Sequence, residues 1–216
     1  MENKLIKTMK KLVLLLISFV FACNSGNNKQ NNSSKELESI IQDYNDHKGY
    51  DKEKYPLGLQ TKAFYKEEAD YAEQLLKKFD NIKVDELNEN EQISVELLKF
   101  VLQDKIDFYT FESFLNPLLS DSGFHSDLNY MVRPLADKKG AIDYLNKLNA
   151  IPEFVNQGLE NLREGLEKGV SQPLVIFKGY ESTYNIHIVD NYEDSFFYSP
   201  FKKCLNNLGL AKKFKL

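Results

Sequence analysis

Over most of the span from Leu37 to Leu166 the apolar side chains of this chain recur at intervals of three and four, which is the spacing of amphipathic helices. Leu37, Ile40, Ile41 and Tyr44 share one helical face, and Ser33 with Glu36 forms a candidate capping box ahead of them. Asp46 to Gln60, with Gly49, Pro56 and Gly58, has the residues of a loop. Thr61 is placed to cap a second helix that buries Tyr65, Ala69, Ala72, Leu75, Leu76 and Phe79. A third helix is expected from Asn88 to about Phe111, burying Ile93, Leu97, Val101 and Phe108. A short link between these two long helices predicts that they pack antiparallel.

The stretch Ser113–Leu135 has no clear period and holds Asn116-Pro117, Ser122-Gly123 and Arg133-Pro134. An irregular segment of that length inside a domain marks a functional or tightly packed loop. Asp137 can then cap a helix running through Ala141, Leu145 and Leu148. Pro152 suits the first position of another, with Val155, Leu159, Leu162 and Leu166 on one side and Gly169 as its stop. A last helix is expected from Pro173. Leu174 to Phe177 could alternatively be a buried strand, but a single strand would have no partner. The expected fold is all-α, an irregular antiparallel bundle with a long ordered loop.

The N-terminus obeys different rules. Lys4, Lys7, Lys10 and Lys11 precede an apolar run from Leu12 to Ala22, which is interrupted only by Ser18. Such a run is too short for a membrane span of roughly 20 residues, and its basic flank suits a secretory signal. It ends in Val20-Phe21-Ala22-Cys23, which resembles the lipobox of bacterial lipoproteins, with Phe21 bulkier than the usual residue there. The resemblance implies cleavage after residue 22 and lipidation of Cys23 through its sulfur. Acyl chains on that residue would provide the membrane anchor, each buried methylene contributing about 0.8 kcal/mol. Residues 24–34 carry Asn, Ser and Gly with no apolar or acidic side chain, the composition of a tether. The expected organisation is a signal at 1–22, a tether at 23–34, a helical body at 35–203 and a divergent basic tail at 204–216. The expected location is the periplasmic face of a Gram-negative envelope.

The formal charge of −4 becomes more negative once the leader's four lysines and one glutamate are removed. An acidic body has no electrostatic basis for nucleic-acid binding, so that partner is excluded. With Cys23 lipidated, Cys204 is the second of two cysteines and has no partner for an internal disulfide. Tryptophan is absent while tyrosine (12) and phenylalanine (15) are abundant, so an aromatic core is expected.

No catalytic motif stands out. His47, His125 and His187 fall in separate segments, without the helical pair spacing of a zinc site. Tyr184 and His187 are placed to form a packed aromatic pair. Asp190, Asn191, Glu193 and Asp194 lack the glycine and alternating oxygen ligands of a calcium loop, and suit a solvated helix end. Ser122 and His125 are close in sequence, but no third group is identifiable to orient a base. The expected site list therefore holds Cys23 alone, with no catalytic and no metal residue.

From Asn88 to Tyr198 the order of motifs is distinctive. Gln92-Ile93-Ser94-Val95-Glu96-Leu97-Leu98 precedes the Asn116-Pro117 loop and Gly123-Phe124-His125. Ala141-Ile142-Asp143-Tyr144-Leu145-Asn146-Lys147-Leu148 and Ile151-Pro152 follow, then Gln157-Gly158-Leu159-Glu160-Asn161-Leu162-Arg163-Glu164-Gly165 and Gly169-Val170-Ser171-Gln172-Pro173. This order resembles the N-terminal region of the bacterial "domain of unknown function 885" family, with Ser34–Asp80 matching more loosely. The resemblance implies a large helical lipoprotein, well over twice this length in its relatives. Their C-terminal half carries a His-Glu-x-x-x-Gly-His-His-like motif and looks like a zinc metallopeptidase acting on peptides. Helix-borne histidines would hold the zinc there, and a glutamate would activate its water. None of that motif is in this sequence, so no ligand is carried over.

Two functions are therefore expected. One is the lipid-anchored helical part of a metallopeptidase-like hydrolase, inactive alone, with the Ser113–Leu135 loop lining a substrate cleft in intact relatives. The family-like pattern fades after Lys203, which suggests truncation by a frameshift or premature stop near Cys204. The alternative is a non-enzymatic periplasmic binding or structural lipoprotein.

Overall fold

The computed structural model describes residues 31–118 and 123–202. Cys23, the signal segment, Ser122 and Cys204 lie outside the described residues. The fold is all-α. Among the described residues the only β pairing is an isolated bridge between Leu118 and Gly123.

Helix α1 spans Asn32–Asp46, α2 Lys62–Lys78 and α3 Glu89–Thr110. Their caps are made by short polar side chains. Thr61 accepts from Phe64 N at 3.2 Å, and Asn88 and Glu91 form a reciprocal capping box. Helix α1 begins earlier than expected. Asn31, not Ser33, is its cap, accepting from Ser34 N at 2.7 Å. The end of the expected tether is therefore helix, because asparagine caps as well as serine does. Ser33 is buried instead, accepting from Lys83 N and donating to Glu86, both at 3.2 Å.

The three helices pack antiparallel in chain order. Ser33 at the start of α1 meets Lys83 beyond the end of α2, whereas His47 just past the end of α1 meets Glu68 in the first half of α2. Tyr65 near the start of α2 meets Phe108 near the end of α3, ring centroids 5.0 Å apart. Leu37, Ile40, Ala72, Leu75, Phe79, Val95 and Leu102 fill the space between them. For α1 and α2 the buried stripe is the one the spacing predicts. For α3 it is not. Val95 and Leu102 are buried, with Leu98 and Ile106 packed beside them, while Ile93, Leu97, Val101 and Phe108 are exposed. The helix is apolar on two sides, and periodicity alone does not say which side meets α2.

Two residues past α3, Glu112 takes a left-handed φ of 50° and turns the chain into Ser113–Leu115. Phe114 and Leu115 are buried there, and Phe114 stacks on Tyr65 at 5.1 Å. The described part of the Ser113–Leu135 loop is thus packed, and it contains the one-turn helix α4, Phe124–Asp127.

Helix α5 runs unbroken over Lys138–Glu167. Asp137 caps it, accepting from Gly140 N at 2.7 Å. Pro152, expected to start a separate helix, lies inside this one, because the apolar register on its two sides is continuous. The helix closes at Gly169, φ 75°, where Val170 N donates to Gly165 O at 2.8 Å. Its buried face is also not the expected one. Ala141 is buried as expected, but Tyr144 is buried in place of Leu145, Leu145 and Leu166 are exposed, and further along Gln157, Gly158, Asn161 and Gly165 point inward. A Cβ on Gly158 would fall 2.8 Å from the Phe124 ring, and one on Gly165 would collide with the Leu115 carbonyl. Two glycines therefore let Leu115 and Phe124 lie directly on α5. Pro173 leads into α6, Leu174–Phe177, a single helical turn and not a strand, followed by α7, Glu181–Asn185.

Candidate functional site

The loop from His47 to Gln60 links α1 to α2 and carries most of the polar chemistry. At its start the His47 ring stacks on Tyr71, centroids 3.7 Å apart with 7° between planes. His47 Nε2 lies 2.6 Å from Glu68 Oε1, and Lys105 Nζ donates to Glu68 Oε2 at 2.5 Å. One carboxylate on α2 thus joins α1 to α3, a separate element on each oxygen. Burial pushes the Glu68 carboxyl up, but its bonds to Lys105 and His47 outweigh this and leave it below the usual carboxylate range. Gly49, φ 59°, passes so near that a Cβ would sit 2.7 Å from Glu68 Oε1. These groups border a cavity of about 340 Å³, which Lys48, Lys52 and the rings of Tyr44, Tyr50 and Phe64 complete.

The far end of the loop is fastened to α5. Gln60 N donates to Gln157 Oε1 at 2.8 Å, Asn161 Nδ2 donates to Gln60 O at 2.7 Å, and Gln60 Nε2 donates to Phe154 O at 3.0 Å. Side-chain amides thereby satisfy the buried backbone of Gln60. A second hollow of about 460 Å³ lies between residues 53–58 and this part of α5.

The other two histidines sit together near the C-terminal turns. His125 Nε2 is 2.8 Å from Thr183 Oγ1, and that hydroxyl donates to Tyr180 O at 2.6 Å. The ring nitrogen must therefore donate, which fixes the tautomer of a neutral His125. Burial, with a smaller contribution from His187, holds its pKa below the ordinary value of 6.5. His187 stacks on Phe197 at 5.1 Å, and both its ring nitrogens are buried without a hydrogen-bond partner among the described residues. Its ring partner is Phe197 and not Tyr184, which meets it only through the backbone bond from His187 N to Tyr184 O at 3.0 Å. Asn191 caps an exposed turn at Tyr192–Asp194, accepting from Glu193 N at 3.2 Å. Among the described residues no three His, Cys, Asp or Glu side chains converge. The histidines do not fit a zinc site, since His47 is bonded at the α1–α2 corner and His125 beside α7.

Sequence reasoning singles out His47 but neither Glu68, to which it is bonded, nor Lys105, which donates to the other oxygen of Glu68. A signal for Glu68 was available: it lies three residues after Tyr65 and one before Ala69, on the side of α2 expected to be buried. A carboxylate in that position requires cationic partners. Lys105, between the inward-facing Leu102 and Ile106, is one of them.

Over residues 46–214 the sequence matches a family described as bacterial protein of unknown function, DUF885. The chain belongs to that family. The match takes in the 47–60 loop, α2 to α7 and most of the tail from Cys204 onward. No curated protein and no solved structure matched the DUF885 chain. No helix among the described residues is long and apolar enough to cross a membrane.

Proposed function

We propose that this DUF885 chain is the lipid-anchored helical portion of a metallopeptidase-like hydrolase, and that it performs no chemistry by itself. Cys23 would hold it at the periplasmic face of the envelope, and zinc and a peptide substrate would belong to a metal-bearing portion that this sequence does not contain. The observation that carries the proposal is the outer side of α3, where Leu97 and Phe100 are 62% and 72% exposed beside Ile93. The C-terminal turns add Leu174 and Ile188, at 85% and 76%. Apolar surface in this quantity is what a folded body presents where another protein surface covers it.

The test is the association behaviour of the chain expressed from Asn24. It is expected to self-associate and to bind a hydrophobic dye, and Leu97→Glu with Phe100→Glu should reduce both. A dye-silent monomer would contradict the proposal. A binding lipoprotein is the second reading, favoured by the cavity beside Glu68.

A further inference from the structure

We infer that the cavity at the α1–α2 corner binds a small organic carboxylate with an apolar body, a function independent of any metal-bearing partner. The charge balance of the cavity comes first. Lys48, Lys52 and Lys105 border it against the single carboxylate of Glu68, and both oxygens of that carboxylate are already engaged by His47 and Lys105. Lys48 and Lys52 form no ion pair among the described residues. The neighbouring acids do not line this cavity, and Glu53 borders the adjoining hollows. Asp51 Oδ1 accepts from the backbone of Glu53 at 2.9 Å and of Lys54 at 3.2 Å, and Asp46 accepts from Gln42 at 2.8 Å. Among the residues that line the cavity, three lysines therefore stand against one carboxylate.

Position matters as much as sign. An ammonium has three donors. Lys105 spends one on Glu68 while its side chain stays 30% exposed. Glu68 thus fixes a cation at the cavity wall with donors to spare, as a preorganised anion site requires. Tyr44, Tyr50 and Phe64 give the same space apolar walls, which inorganic anions do not need. At about 340 Å³ the cavity suits an amino-acid derivative. That is the size of a small-molecule pocket. Gly49 keeps the wall open, since any side chain there would press on Glu68.

The experiment is isothermal titration of the full chain in detergent with N-acetylphenylalanine, its neutral amide and inorganic phosphate. The acid should bind saturably, with the amide and phosphate each at least about tenfold weaker. Lys48→Gln with Lys52→Gln leaves the Glu68 network intact, and should weaken the acid about tenfold at an unchanged melting temperature. The inference is overturned if the acid gives no saturable heat, if the amide or phosphate binds equally well, or if the double variant binds as the parent does.

Discussion

Glu68 shows how a single carboxylate can join three helices, and its surroundings set the sign of its pH dependence. Its folded pKa lies below the ordinary 4.5, so the stability it contributes is complete above that value and is lost as the pH falls through the folded pKa. Glu68→Ala should lower the unfolding free energy by about 1–3 kcal/mol in denaturant titrations near neutral pH, because it leaves Lys105 and His47 partly buried without their acceptor. His125 acts in a higher window. A base held below its unfolded value of 6.5 takes up protons more readily when the chain is unfolded, so acidification below that value costs stability. His125→Gln should flatten the melting temperature over that part of the pH range. An unchanged slope would show that burial of His125 is not the cause. On the proposed anchoring, Cys23→Ser should abolish incorporation of labelled fatty acid into the protein, and unchanged labelling would contradict it.

At the scale of the element, three helix starts were legible from their caps, while Ser33 and Pro152 do not start helices. Thr61, Asn88 and Asp137 each cap the helix that their positions predicted. Which side of a helix faces inward was harder to read. Helix α3 has two apolar sides, and only the position of α2 decides between them. In α5 the leucines do not mark the buried side: Gln157, Gly158, Asn161 and Gly165 pack inward because neighbouring backbone must come close and have its polar groups satisfied. Gly165→Ala tests this. Helix propensity alone would favour alanine by about 1 kcal/mol, yet the collision with the Leu115 carbonyl should destabilise the protein by about 1–3 kcal/mol. Pro152→Ala should act in the opposite sense and raise the melting temperature, since it restores a backbone donor in mid-helix.

At the scale of the whole molecule, the core and the uncovered surface have different origins. The α1–α3 bundle closes its own core, but that core is mainly aliphatic and not the aromatic one expected: Phe79 is buried in it and Phe114 lies at its end, 5.1 and 6.3 Å from the Tyr65 and Tyr109 rings, while Phe100, Phe108 and Phe111 are exposed. The outer side of α3 and the turns after Pro173 instead carry large apolar residues into solvent. The carboxylate cavity was not legible from motifs, because its residues come from one loop and its flanking helices and converge only through packing. Family membership was legible, since it rests on the order of short motifs along the chain and needs no tertiary contact. The absence of a helix-borne histidine pair from this sequence gives the proposed function its most direct measurement. Purified DUF885 chain, supplied with one zinc per molecule and a quenched-fluorescence peptide library, should cleave no faster than zinc in buffer. Turnover that follows zinc occupancy and disappears on chelation would contradict the account.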